Sequence, residues 1–201
     1  MSTQATTKAS TGAAISHLVL NVRDIEASHH FYTELLGFEQ CAELRHTMTM
    51  RFYRSNPAHH HDFALVEVSD PASVAEPDKW SMEPKRVGVN HIAIAYPDRG
   101  AWLKQLEHLK ANEVEFIVRG NHGMTHSAYI ADPDGYGIEV LYDLPEEVWS
   151  GDVDAALNYF EYLPPEEALE DTTEYQRFGP DQPEPVAVPG RVVTRESRTP
   201  R

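Results

Sequence analysis

Apolar residues surround a single histidine in two short segments, Ile15-Ser-His17-Leu-Val-Leu-Asn21 and Val89-Asn-His91-Ile-Ala-Ile-Ala95. Each segment predicts a β-strand, and each leads into a stretch with helical spacing. After the first strand, Asp24 stands where an N-cap belongs. Ile25, Ala27, Phe31, Tyr32, Leu35 and Leu36 then share one helical face, and Gly37 ends it. Three strands are predicted next, over 38–44, 48–53 and 62–68, with Ser55-Asn-Pro-Ala58 as the turn before the last.

The order repeats farther along. Pro97-Asp98 precedes a helix carrying Trp102, Leu103, Leu106 and Leu109, and strands follow over 115–118, 128–131 and 137–142. Pro133-Asp-Gly135 makes the tight turn into the last of them. Each half therefore reads β-α-β-β-β. A sheet of that size has one apolar face and too few elements to cover it, so the halves are expected to pair. The predicted class is α+β, with module one over 14–70, a linker rich in Pro, Ser and charge over 71–86, and module two over 87–143. Residues 1–13 read as a flexible leader. An acidic, Pro-rich extension covers 144–201, with a short helix expected near 150–162 and an extended or disordered tail over roughly the last 20 residues.

Composition narrows the function classes. No run reaches the roughly 18 apolar residues of a membrane span, and residues 1–13 lack the apolar core of a secretory signal. Cys41 is the lone cysteine, which excludes an intramolecular disulfide and fits a reducing cytoplasm, the expected location. The net charge is −15, but twelve acids and one Arg fall within 144–189, so the acidity belongs mainly to the extension. A negative chain argues against nucleic acid or an anionic membrane as partner, since both require cationic contacts.

The chemistry starts from His17 and His91, 74 residues apart at the same place in the repeat. Glu139 lies between Ile138 and Val140 in an otherwise apolar strand, where a lone carboxylate is costly unless it meets a metal or a cationic partner. Two imidazoles and one carboxylate with open positions suit a non-haem Fe(II) oxygenase. A single strand histidine is more often a hydrogen-bonded core residue. The duplicated pattern and the added carboxylate favour ligands.

At this point the chain resembles the vicinal oxygen chelate superfamily over 15–143. The superfamily holds glyoxalases, epimerases, antibiotic-resistance proteins and type I extradiol dioxygenases. The resemblance implies paired βαβββ modules forming a cupped mixed sheet around a metal, with His17, His91 and Glu139 as its ligands. Gly120-Asn-His122, Tyr129, Asp132-Pro-Asp-Gly135 and Glu139 follow the signature of short, two-module extradiol ring-cleaving enzymes. Ala128 departs from it, standing where a larger aliphatic residue is expected. In such enzymes a histidine just before the last strand of module one lines the O2 side. In His59-His-His61-Asp-Phe-Ala-Leu65 that position is His61, or His60 if the strand starts one residue earlier.

The implied activity is cleavage of a catechol-type compound with O2 at Fe(II), with Mn(II) accepted by the same donors. His61 would be the acid–base group. Tyr129 and His122 would bind the substrate and stabilise developing charge, with His126 competing for the place of His122. Aligning the last strands of the modules puts Ala64, or an apolar neighbour, at the counterpart of Glu139. Glyoxalases carry a fourth ligand there, and Glu67 lies too near the strand end to supply one. The competing readings are a glyoxalase-type lyase, isomerase or epimerase, an antibiotic-modifying thiol transferase and a non-catalytic small-molecule binding protein. Short relatives commonly assemble, so a homo-oligomer is compatible with the resemblance.

Overall fold

The apolar segments become two mixed sheets built on one plan. Residues 14–44, 46–75, 77–83, 87–165, 169 and 177–179 are described in a computed structural model of the chain. They divide into one unit ending at Val74 and another starting at Ala75. The leader expected over 1–13 and the tail expected over roughly the last 20 residues lie outside the described residues.

Unit one runs β1 (Leu18–Val22), α1 (Ile25–His30), β2 (Glu39–Leu44), β3 (Met50–Arg54) and β4 (Phe63–Glu67). Its sheet order is β1-β4-β3-β2, with β1 parallel to β4 and the other pairs antiparallel. The Asp24 carboxylate caps α1 by accepting from the amides of Glu26 and Ala27 at 2.9 and 3.0 Å. Glu67 adds a second acceptor for the same helix end, 3.0 Å from the amide of Ile25. α1 passes into a π-turn over Phe31–Leu35 and stops at Gly37, whose φ of +82° needs no Cβ. Ser28, rather than Ala27, joins Ile25 on the buried face, because three residues on lies nearer around a helix than two. The core gathers around Phe63, stacked on Tyr53 at 4.9 Å and tilted against Tyr32 at 4.8 Å.

Unit two runs β5 (His91–Tyr96), α2 (Arg99–Ala111), β6 (Val118–Asn121), β7 (Thr125–Ala131), β8 (Gly137–Asp143), α3 (Glu146–Trp149), α4 (Val153–Leu157) and β9 (Glu161–Leu163). The sheet order is β5-β8-β7-β6-β9, again with one parallel pair, β5 and β8. α2 buries Trp102, Leu106 and Leu109, and the Trp102 indole donates to the carbonyl of Val140 at 2.9 Å. The Trp102 ring also packs on Tyr142 at 5.1 Å, which places the helix on the face of β8 opposite Glu139. Replacing Trp102 by Ala removes a fully buried ring and is expected to cost about 3–5 kcal/mol.

Four expectations shift. The strand expected over 128–131 begins at Thr125. His17 precedes β1 instead of lying within it. The strand expected over 115–118 runs from Val118 to Asn121, and Gly120 is a strand position crossed closely by Phe160. The helix expected near 150–162 ends at Leu157, and Glu161–Leu163 instead pairs with β6 as a fifth strand.

Candidate metal centre

The strand period of two places the polar groups of unit two on one face. Glu139 of β8 pairs with Tyr129 of β7 on one side and Ala93 of β5 on the other. His91, two residues before Ala93, shares that face. His122 follows β6 in the turn to β7, where its amide donates to the carbonyl of Thr125 at 2.9 Å. His126 is three positions from Tyr129 and so faces the other way, where the Tyr142 hydroxyl lies 2.9 Å from its Nδ1. His122, not His126, belongs to the cluster.

The cluster is a connected run. The Tyr129 hydroxyl donates to Glu139 Oε1 at 2.8 Å, so it accepts from His122 Nε2, also at 2.8 Å. His91 Nε2 lies 3.1 Å from Glu139 Oε2. Burial pushes the Glu139 carboxyl up, but hydrogen bonds from His91, Ser127 and Tyr129 outweigh it and hold the group below its ordinary value. Burial pushes the Tyr129 phenol up, and the Glu139 charge adds to that. The His122 imidazole is pushed down by burial, against the pull of Glu139, so it is biased toward the neutral form.

Two of these groups, His91 and Glu139, bring metal-capable atoms close together. Asn90 Oδ1 lies 2.7 Å from His91 Nδ1. An amide oxygen only accepts, so the neutral ring carries its proton on Nδ1 and turns the Nε2 lone pair toward Glu139. Two lone pairs then converge 3.1 Å apart, an arrangement relieved by a proton or by a shared cation. Among the described residues, however, no three His, Cys, Asp or Glu side chains form a ready metal-binding group.

In unit one, His17 is exposed and its ring lies 4.5 Å from that of His61 and 6.4 Å from that of His60. His61 packs edge-on against Phe52 at 5.2 Å, and its Nδ1 is 2.6 Å from His60 Nδ1. Burial and then the neighbouring His60, His17 and His59 push the His61 imidazole down. The pairings Val19↔Ala64 and Ala93↔Glu139 give Ala64 the place in unit one that Glu139 holds in unit two.

Two aromatic rings absent from the sequence-based site complete the face. Trp80 stacks on Tyr129 at 5.4 Å with 9° between planes and meets His91 edge-on at 6.5 Å. Phe160 leans on His122 at 4.6 Å. A glycine makes room for each. A Cβ at Gly137 would overlap the Trp80 indole, and one at Gly120 would lie 2.5 Å from Phe160. The signal for Trp80 was its standing as the lone aromatic residue of the linker.

A family model for the Glyoxalase/Bleomycin resistance protein/Dioxygenase superfamily matches residues 14–140. Catechol-2,3-dioxygenase of Bacillus subtilis is 28% identical over 141 residues, 69% of this chain and 44% of that protein. Biphenyl-2,3-diol 1,2-dioxygenase 3 of Rhodococcus globerulus is 29% identical over 136 residues, 66% of each chain. Lactoylglutathione lyase of Pseudomonas putida is 28% identical over 162 residues, 65% of this chain and 85% of that one. The chain thus spans less than half of the first dioxygenase and just under two thirds of the second. Among solved structures, a glyoxylase/bleomycin resistance protein/dioxygenase domain from Frankia sp. EAN1pec shares the fold, with a TM-score of 0.53 at 19% identity over 66% of this chain and 93% of that one. With its two βαβββ units and a family match over residues 14–140, the chain belongs to the glyoxalase/bleomycin resistance/dioxygenase, or vicinal oxygen chelate, superfamily.

Proposed function

We propose that the chain is an extradiol ring-cleaving dioxygenase that inserts O2 into a catechol-type diol at a mononuclear Fe(II) held by His17, His91 and Glu139. Mn(II) suits the same donors. The hydrogen-bonded run His122–Tyr129–Glu139–His91, flanked by the rings of Trp80 and Phe160, carries this reading. It joins a ligand-competent pair to two side chains able to bind a substrate oxygen, in surroundings suited to a flat apolar ring.

When bound, the metal supplies positive charge that lowers the pKa of coordinated hydroxyl groups. The protein's own groups do the rest. Burial keeps the Tyr129 phenol protonated, and its one proton, given to Glu139 in the free site, would turn to an anionic substrate oxygen. His122, held neutral by burial, would orient the substrate by turning its Nε2–H from the Tyr129 oxygen to the place where negative charge develops. His61, biased toward its neutral form, takes a substrate proton and returns it later. Trp80 and Phe160 limit water at the reacting face.

A lyase or isomerase reading has support in the lactoylglutathione lyase match, which spans 85% of that relative. Two residues weigh against it. Ala64 offers no ligand at the counterpart of Glu139, and the Glu67 carboxylate is engaged at the start of α1. Anaerobic reconstitution with Fe(II), followed by O2 and a panel of catechols, separates the readings. A yellow ring-cleaved product is expected. No product from any catechol, together with isomerisation of a hemithioacetal, reverses the assignment.

A further inference from the structure

We infer that Asn90 is a positioning residue that fixes the tautomer and aim of the His91 ring, braced in turn by the linker at Trp80–Met82. This inference rests on the metal reading given above. Asn90 immediately precedes β5 and makes three contacts. Its Oδ1 accepts from His91 Nδ1 at 2.7 Å, its Nδ2 donates to the carbonyl of Met82 at 3.3 Å, and its own carbonyl accepts from the Trp80 indole at 2.6 Å. The second contact settles the orientation of the amide. A carbonyl oxygen only accepts, so the NH2 end must face Met82 and the oxygen end must face His91.

The consequence is chemical. With a proton held on Nδ1, the His91 ring gives up its other proton from Nε2, which lies 3.1 Å from Glu139 Oε2, and so frees that atom for a metal. The opposite tautomer would keep the hydrogen there and block a metal. The brace depends on the linker reaching the sheet, which Gly137 permits by leaving room for the Trp80 indole. Trp80 is buried and stacks on Tyr129, so the brace is part of the packed face. The counterpart in unit one is much weaker. Ser16 Oγ lies 3.4 Å from His17 Nδ1 at an exposed position. The two repeated histidines therefore differ in what holds them, and the preorganised one is His91.

The test compares the full-length wild type with Asn90→Leu and Asn90→Asp by anaerobic Co(II) titration, following the visible spectrum, with thermal melting of the metal-free proteins alongside. Asn90→Leu is expected to weaken Co(II) binding about 10–100-fold, the usual cost of losing such a partner. Asn90→Asp keeps the acceptor and is expected to recover wild-type affinity. Long-range ¹⁵N–¹H spectra of the metal-free wild type should show a proton on His91 Nδ1. Leu and wild-type proteins binding Co(II) equally would overturn the inference, as would a His91 Nδ1 without a proton. If Asn90→Leu does not fold, the wild-type tautomer and the Asn90→Asp affinity decide. A wild type that binds no Co(II) overturns the metal reading and this inference with it, whereas equal binding by the variants overturns this inference alone.

Discussion

Glu139 is buried, yet three neighbours keep its carboxyl ionised, and Tyr129 links it to His122. Removing the Tyr129 hydroxyl tests that link with little loss of packing. In Tyr129→Phe, kcat at metal saturation is expected to fall by roughly 10²-fold, the scale of a lost charge-stabilising donor, and metal affinity is expected to fall as well, because Glu139 loses a hydrogen-bond partner. Steady-state kinetics and metal titration check the two halves, and an unchanged kcat would remove Tyr129 from the chemistry. The same strand parity made most of this cluster legible. Counting by twos from Glu139 and Tyr129 finds their face, and counting three from Tyr129 to His126 excludes that histidine. Asp62 offers a pH prediction in unit one. Burial pushes its carboxyl up, but bonds from the Ser55 amide and hydroxyl and from His59 hold it below the ordinary 3.8. Its stabilising contribution is therefore complete above 3.8 and lost as pH falls through the lower folded value. Urea unfolding at successive acidic pH values should show this loss in the wild type and a flatter profile in Asp62→Asn. Identical profiles would remove Asp62 as the cause.

At the scale of elements, the sequence period found the duplicated β-α-β-β-β order but not the pieces that close the face. β6 lies three residues beyond its expected place and includes Gly120, whose missing side chain admits Phe160. β9 has only three residues, too few for a period, and its partner β6 is some 40 positions away in sequence. Trp80 sits in a linker with no periodicity at all. These contacts are long-range, and local propensity carries no record of them. Gly120→Ala and Gly137→Ala should each displace an aromatic ring and cost about 1–3 kcal/mol by overpacking, read as a lower urea midpoint. A midpoint unchanged in both would mean that the rings are not held as described. Ending the chain at Asp143 would remove β9 and leave β6 as an unpaired edge. Light scattering should then report association, and a monodisperse truncated chain would contradict a closing role for β9.

For the whole molecule, the repeat matters through its differences. Both units place a parallel strand pair at one edge of the sheet with antiparallel strands following, in line with the mixed sheet that the family resemblance implied. The asymmetry of side chains was readable: Glu139 faces the cluster in unit two, and Ala64 takes its place in unit one. The support around His91 was not, because Asn90 gains meaning only once the linker is seen to reach it. His17→Ala and His91→Ala should each lose tight Fe(II) binding, and a fully metallated His91→Ala protein would remove that ligand from the proposal. The proposed reaction is oxygen insertion into a catechol. Reaction of the Fe(II)-loaded chain with a catechol under ¹⁸O2, with the product read by mass spectrometry, tests it directly. Both labelled atoms are predicted in one ring-opened product, whereas catechol left intact with no O2 consumed, or a product carrying no label, would contradict it.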